Sequence, residues 1–290
     1  MGYATKPLSN RIAVVFDFDE TLIPDDSFDI LLKDCQLDLE AFERDRVEPL
    51  VKQGWHKYLA RTYCLIQESR QREGKDKITY ERLANLGKKV RPIEGVPEMF
   101  DCLRQKAREL VPEVEVEYYL ISGGFVDIAR NTSIAKHFTQ MWGCELAYEQ
   151  NGEIQFLKQQ MTHTEKTHYL YYLSKGIDAE NEQDLIYNYR DIPIEELHVP
   201  LNQTIYVGDG TSDIPCFTAI NQYEGIAFGI FPEHSSAEKW EHREKVTNSQ
   251  QITNLVPAHY GEDSELMRSL ILAIECMCKQ ILLLQLSVGE

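Results

Sequence analysis

The chain has 290 residues, of which 43% are hydrophobic and 27% are charged, a composition typical of globular proteins. This composition excludes collagen-like, low-complexity and largely disordered chains. The 30 basic and 47 acidic side chains give a net charge of −17, which disfavours nucleic acid and anionic membrane surfaces as partners.

The cysteines and the apolar segments indicate the cellular compartment of the protein. The seven cysteines include no Cys-x-x-Cys pair, so we expect neither a disulfide framework nor a zinc ribbon. The first apolar run, residues 12–16, is too short for the core of a signal peptide. Charged residues interrupt the most apolar tract, residues 265–286, which argues against a membrane-spanning segment. We therefore predict a cytoplasmic protein.

Apolar runs and helical periodicities alternate along most of the chain. The runs of β-branched and aromatic residues predict strands that are buried on both faces of a parallel sheet. The strand runs cover residues 12–16, 116–121, 203–207 and 225–230, and the helical patterns between them cover residues 96–110, 125–137 and 165–175. We therefore predict an α/β fold, a doubly wound parallel sheet with a Rossmann-like core.

Two segments depart from this alternation. Residues 25–91 contain helical patterns and no strand-like run, which predicts a helical cap inserted into a core made of residues 1–24 and 92–290. Near the C-terminus, Asp263 is the expected N-cap of a helix that has one apolar face. That face predicts packing on the core or on a second copy of the chain, which would make a homo-oligomer.

Two carboxylates follow the first predicted strand. Asp17 and Asp19 lie at the carboxyl end of that strand, where open α/β sheets bind their ligands. Two carboxylates separated by one residue can hold a hard divalent cation, or can act as a nucleophile and a general acid/base. An ordinary acidic turn is the alternative interpretation of so short a motif.

Two further motifs lie at the ends of predicted strands. Ser122 and Gly123 precede a predicted helix, where a hydroxyl and backbone amides can bind a phosphate group. Asp209 and Asp213 lie in a glycine-containing loop after another strand and would add carboxylate oxygens. Because parallel strands end at one edge of a sheet, we expect all these residues to lie near Asp17 and Asp19.

A lysine completes the pattern. Lys166 lies at the start of a predicted helix, with Lys158 as the alternative basic residue. Together with the three acidic and glycine-rich motifs, in this chain order, it resembles the haloacid dehalogenase-like (HAD-like) hydrolase superfamily, in which a helical cap occupies the place of residues 25–91. The run of residues 121–125, Ile-Ser-Gly-Gly-Phe, resembles the phosphoserine-phosphatase-like subgroup.

The resemblance implies catalytic roles. Asp17 would be the nucleophile that forms an aspartyl-phosphate, and Asp19 would protonate the leaving alkoxide and later deprotonate the hydrolytic water. Ser122, the Gly123 amide and Lys166 would bind the phosphoryl oxygens. In having an acid at position 19, the chain resembles the phosphatases of the superfamily rather than the dehalogenases. An alkoxide leaving group needs a proton from such an acid, and a halide does not.

The resemblance also implies a metal and a substrate contact. Mg²⁺ would be held by Asp17, Asp209 and the backbone carbonyl of Asp19, with Asp213 orienting the site. Asp26 lies where the subgroup has an acid that binds the substrate amino group, although capping of the next helix is an alternative role of this residue.

Other positions leave the substrate open. Glu20 and Ser212 depart from the residues common in the subgroup, and Arg61 falls one residue early in the cap series that begins at Gly54 and Trp55. The expected activity is Mg²⁺-dependent hydrolysis of a small phosphorylated metabolite, a phosphomonoester that resembles phosphoserine. The alternatives are a HAD-like phosphatase with another substrate class, a phosphoaccepting receiver and a non-catalytic phosphate-binding protein.

Overall fold

The computed structural model describes residues 9–178, 192–232 and 253–287. Parts of the predicted core domain lie outside the described residues, namely 1–8, 179–191, 233–252 and 288–290. The division of the chain into the core and cap ranges given above stays a prediction.

A single seven-stranded sheet organises the described residues. Its strands are β1 (Arg11–Phe16), β2 (Glu115–Phe125), β3 (Gln140–Tyr148), β4 (Ile154–Gln159), β5 (Thr204–Gly208), β6 (Ile226–Phe231) and β7 (Asn254–Pro257). The strand order is β4-β3-β2-β1-β5-β6-β7, and every neighbouring pair is parallel except the antiparallel β3–β4 pair. The predicted α/β class with a parallel, doubly wound sheet is confirmed.

Helices cover both faces of the sheet. They are α1 (Ser27–Asp34), α2 (Leu39–Phe42), α3 (Glu48–Lys52), α4 (Lys57–Gln71), α5 (Tyr80–Lys89), α6 (Val96–Leu110), α7 (Val126–Ala129), α8 (His163–Lys175), α9 (Ile214–Gln222) and α10 (Glu265–Ser287). A π-helical turn, Glu43–Val47, joins α2 to α3.

The central strand β1 is buried on both faces. Val14 and Phe16 belong to an apolar core that includes side chains of α6 and α10, whereas Ala13 and Val15 belong to a second core with side chains of α8 and α9. Because alternate residues of a strand point to opposite faces, a strand with helices on both sides is apolar throughout. This explains why the run at residues 12–16 is continuous rather than alternating.

The segment between β1 and α6 consists of helices, and it is attached to the β3–β4 hairpin. Thr79 forms a bridge with Glu153 beside β4. The buried Glu153 side chain accepts hydrogen bonds from Ser69 Oγ at 3.1 Å and from Lys77 Nζ at 2.6 Å. These contacts attach the helical segment to the β3–β4 hairpin, in addition to its chain connections to β1 and α6.

The helix predicted over residues 125–137 is wrong over most of its length. Strand β2 continues to Phe125, and α7 has four residues before the chain leaves the helix. Asn131 Nδ2 donates to the Asp127 carbonyl, and Thr132 Oγ1 donates to the Ala129 carbonyl. The amides of Asn131 and Thr132 donate to carbonyls three residues back, those of Ile128 and Ala129, so the chain tightens into turns instead of continuing the helix.

The terminal helix α10 packs on α6, and its cap differs from the prediction by one residue. Ser264, not Asp263, caps the helix, because Ser264 Oγ accepts from the Met267 amide at 3.1 Å. By length and composition alone, Glu265–Leu286 could span a membrane, with a mean hydropathy of 1.7, but 33% of that window is buried inside the protein. A core helix passes the same test, so the helix is a weak indication of a membrane span. The homo-oligomer contact on its apolar face stays a prediction.

Candidate active site

Three loops meet at the carboxyl edge of the sheet because β2, β1 and β5 are neighbours in it. They enclose a cavity of about 150 Å³. Six of the residues predicted from sequence line it: Asp17, Asp19, Asp26, Ser122, Gly123 and Asp209. The topology therefore brings together side chains that are far apart in the chain.

Asp17 is held at the end of β1. Its amide donates to the Val207 carbonyl at 3.0 Å, which continues the pairing of β1 with β5. One carboxylate oxygen accepts from the Phe18 amide at 2.7 Å, and the other lies 2.9 Å from Lys166 Nζ. Burial raises the pKa of Asp17 to about 6, although Lys166 opposes the shift. Asp17 is thus an oriented carboxylate with a cation beside it.

Lys166 lies beneath Asp17 and is buried. Its Nζ is 2.9 Å from Asp17 and 2.8 Å from Asp213, and the lysine side chain is 1% exposed. Burial alone would lower the pKa of Lys166, but the two carboxylates outweigh it and raise the pKa above its usual value. The alternative residue, Lys158, is on the surface, where it pairs with Glu145. Of the two lysines, only Lys166 reaches the cavity region.

Asp19 faces a different partner. Its carboxylate accepts from both the amide and the hydroxyl of Ser27, each at 2.9 Å. Burial raises the pKa of Asp19, and the nearby Asp26 and Asp17 raise it further. A Cβ on Gly124 would lie 2.3 Å from the Asp19 carboxylate and 2.4 Å from the Ser27 hydroxyl. Position 124 must therefore be glycine for Asp19 to keep this place.

The turn that carries Asp19 is tight. The amides of Thr21 and Leu22 both donate to the Phe18 carbonyl, at 3.3 and 2.9 Å. Glu20 adopts a φ of +52°, in the left-handed region that non-glycine residues rarely occupy. Glu20 lines the cavity, so the turn adds a further acidic residue to the lining.

Asp17, Asp209 and Asp213 form the carboxylate cluster of the described residues. One oxygen of each lies within 4.8 Å of the others. Asp213 is fully buried and accepts from Tyr206 Oη at 2.7 Å and from the Gly210 amide at 3.3 Å. Because its oxygens are engaged in this way, Asp213 is suited to orienting the loop, while the oxygen-only donor set fits a hard cation such as Mg²⁺. The Asp19 carboxylate is outside this cluster, and the ligand role of its backbone carbonyl stays a prediction.

Ser122 and Gly123 lie at the end of β2. Ser122 is 2% exposed, and its hydroxyl accepts from the Gly124 amide at 3.0 Å. The helix N-terminus that was expected to bind a phosphate group here is short, because α7 has only four residues. Ser122, Gly123 and Gly124, which line the cavity, therefore belong to the end of a strand, where the register between β2 and β3 shifts.

Asp26 has both of the features that its two predicted roles require. Its carboxylate accepts from the Phe28 amide at 2.7 Å and caps α1. The same side chain is half-buried and lines the cavity. The capping role is therefore confirmed, and the substrate contact stays a prediction.

Sequence reasoning missed several residues of the site. Tyr58 and Thr62 of α4 line the cavity, and Tyr58 Oη would lie 3.3 Å from a Cβ built on Gly123. Cys144 of β3 also lines it. Tyr206, which supports Asp213, resembles any aromatic residue of a buried strand. None of these positions belongs to a motif, so no pattern in the sequence distinguished them from core residues.

The comparisons with known proteins concern sequence and fold. No protein-family model matches the chain. An uncharacterized protein of Borreliella burgdorferi is 26% identical over 233 residues, 73% of this chain and 79% of that protein. A HAD family hydrolase of Salmonella enterica serovar Typhi superposes with a TM-score of 0.56 at 13% identity, over 87% of this chain and 69% of its own.

A probable phosphoserine phosphatase of Vibrio cholerae superposes with a TM-score of 0.55 at 13% identity, over 96% of this chain and 69% of that one. The protein has the HAD-like fold. The predicted resemblance is confirmed at this level, including the phosphoserine-phosphatase-like form of the fold. In this HAD-like fold the cavity lies between the strand ends and the helices that follow β1.

Proposed function

We propose that this protein is a Mg²⁺-dependent phosphatase that hydrolyses a small phosphomonoester through an aspartyl-phosphate. One observation carries the proposal: two carboxylates in one cavity have different partners. Asp17 is paired with the buried Lys166, whereas Asp19 is held by Ser27. Such a division suits a nucleophile and a separate general acid/base. The shared fold with a HAD family hydrolase and a probable phosphoserine phosphatase supports the same reaction class.

The proposed reaction has two steps. A carboxylate oxygen of Asp17 attacks phosphorus, and the bond from phosphorus to the alcohol oxygen breaks as Asp19 gives that oxygen a proton. Asp19 then takes a proton from a water molecule, which attacks phosphorus and releases inorganic phosphate. Asp17 is regenerated as a carboxylate, so the enzyme is unchanged at the end.

Charge neutralisation is the physical requirement of the first step, because a phosphoryl dianion repels a carboxylate. Lys166 supplies one positive charge, and Ser122 and the Gly123 amide would donate to phosphoryl oxygens. Mg²⁺, held by Asp17, Asp209 and the carbonyl of Asp19, would supply the remaining positive charge. Asp213 fixes Lys166 through a contact of 2.8 Å.

The cavity also supports a small substrate. Its volume is about 150 Å³, and side chains of α1 and α4 form one wall. We infer that Asp26, on that wall, binds a positive group of the substrate such as an ammonium. A phosphorylated metabolite of the size of phosphoserine fits these requirements, and a macromolecule does not.

A simple assay tests the proposed function. The full chain is incubated with p-nitrophenyl phosphate and Mg²⁺, with and without EDTA, and both phosphate release and protein phosphorylation are measured. Turnover that EDTA abolishes is the expected result. A stable phosphoprotein without turnover would indicate a receiver instead. Absence of both would indicate a phosphate-binding protein without catalysis.

A further inference from the structure

The residues that line the cavity have an unusual charge distribution. Five acidic residues line the cavity: Asp17, Asp19, Glu20, Asp26 and Asp209. Arg61, on α4, is the only Lys or Arg side chain that lines it in the described part of the chain. This arginine is therefore the natural binding group for any negative charge on the alcohol part of a substrate.

Arg61 is already engaged by groups of the protein itself. Its Nε donates to Glu43 Oε1 at 2.5 Å, and its guanidinium carbon lies 4.4 Å from the centre of the Phe28 ring. The two charged side chains are only 16% and 19% exposed. A pair with so little exposure is screened weakly by solvent, so Glu43 offsets most of the charge that Arg61 would present to a ligand.

Further charged residues lie near the same arginine. Asp29, one turn along α1 from Asp26, interacts electrostatically with Asp26, Arg61 and Glu43, and also with Lys33, whose side chain is 68% exposed. Glu43 itself begins the π-helical turn between α2 and α3, a local form that often occurs at functional sites. Asp26, Asp29 and Glu43 thus outnumber Arg61 and the exposed Lys33 in this region, and its net charge is negative.

Building on the phosphatase function proposed above, we propose that the substrate is the phosphomonoester of an amino alcohol that carries no carboxylate, and that Glu43 sets this preference. An ammonium group on the alcohol part would be attracted by Asp26 and its acidic neighbours. A carboxylate in the same place would face those acids, and the charge of Arg61 that could attract it would be offset by Glu43, which is bonded to Arg61 Nε. Like charges that meet in a binding site discriminate strongly against the wrong ligand.

Two phosphomonoesters that differ only by a carboxylate group test this preference. O-Phosphoethanolamine has the phosphate and the ammonium, and O-phosphoserine has the same groups with an added carboxylate. We expect kcat/KM of the full chain with Mg²⁺ to be higher for O-phosphoethanolamine by about tenfold or more. Glycerol 3-phosphate, which has neither charged group, should fall below O-phosphoethanolamine as well.

A matched pair of variants assigns the effect to Glu43. Glu43→Gln removes the charge and keeps an oxygen that can accept from Arg61. Glu68→Gln is the control: Glu68 pairs with Arg46, whose guanidinium lies 5.1 Å from the Phe42 ring, but neither lines the cavity. We expect the ratio of kcat/KM between the two substrates to fall about fivefold or more in Glu43→Gln, through a lower KM for O-phosphoserine, and to stay unchanged in Glu68→Gln.

The outcomes separate the two proposals. Hydrolysis of p-nitrophenyl phosphate with no preference for O-phosphoethanolamine, or with a preference for O-phosphoserine, overturns the substrate class and leaves the phosphatase function standing. A preference that is the same in Glu43→Gln and in the wild type overturns the role of Glu43. If no phosphomonoester is hydrolysed with Mg²⁺, both proposals fail. Circular dichroism and melting temperature verify that each variant is folded.

Discussion

The two sides of the cavity are built in different ways. On the strand side, Asp17 is buried and is held between adjacent strand ends, because its amide donates to the Val207 carbonyl. On the helical side, Arg61 and Glu43 are held by each other, and Arg61 also packs on the Phe28 ring. The strand side thus contains the groups that suit phosphoryl transfer, whereas the helical side contains the groups that would contact the rest of a substrate. Chemistry and selectivity should therefore be separable by mutation.

The largest expected effect is on the strand side. Asp17→Asn should lower kcat by about 10³-fold or more, because it removes the proposed nucleophile while keeping the shape of the side chain. Phosphate release and radiolabelled protein phosphorylation are both measured. Near-normal turnover in a folded Asp17→Asn protein would show that another group attacks phosphorus.

Metal binding gives the next largest effect. Asp209→Ala should weaken Mg²⁺ binding by more than about 10²-fold, since it removes one of three clustered carboxylates. Isothermal titration calorimetry measures the affinity. Asp45→Ala is the control, because Asp45 is an exposed acid that pairs with Arg44 in the helical segment. Equal Mg²⁺ affinity in both variants would place the metal site elsewhere.

The role of Asp19 depends on the leaving group. Asp19→Asn should lower the rate with an alkyl phosphate about 10²-fold more than the rate with p-nitrophenyl phosphate, because only the alkoxide needs a proton. Ser27 can still donate to an asparagine oxygen, so the position of the side chain is kept. Equal losses with the two substrates would contradict the general-acid role.

The smallest expected effect concerns Asp26, on the helical side of the cavity. Asp26→Ala should raise KM about tenfold for an amino-bearing substrate and leave KM for a neutral one nearly unchanged, since the lost contact is to a charged group. Removing a cap also lowers the free energy of unfolding, by about 1 kcal/mol.

Asp38→Ala is the matched control for that loss of a cap. Asp38 caps α2 by accepting from the Ala41 amide at 2.8 Å, and it does not line the cavity. Asp38→Ala should therefore lower stability without changing KM. If Asp26→Ala raises KM equally for amino-bearing and neutral substrates, Asp26 is a cap alone.

The strand side of the site could be predicted because its residues obey a local rule. Asp17, Ser122 and Asp209 each follow an apolar run, and parallel strands place such positions at one edge of the sheet. The helix predicted over residues 125–137 failed because apolar spacing alone does not say where a helix ends. The apolar pattern after residue 125 is compatible with a helix, but the helix ends at Ala129, where Asn131 and Thr132 bond back to the carbonyls of Asp127 and Ala129.

The amino-acid sequence by itself determined the α/β class and the strand ends that carry acids, because apolar periodicity is a local property of a chain. The choice of Asp17, Asp19 and Lys166 as candidates came from the order of the motifs, which resembles that of the HAD-like superfamily. Only the tertiary structure decided that Lys166 rather than Lys158 contacts Asp17, and that Glu43 forms an ion pair with Arg61. Those pairings join residues from separate elements. Their distances depend on how helices pack on the sheet, which no local pattern encodes.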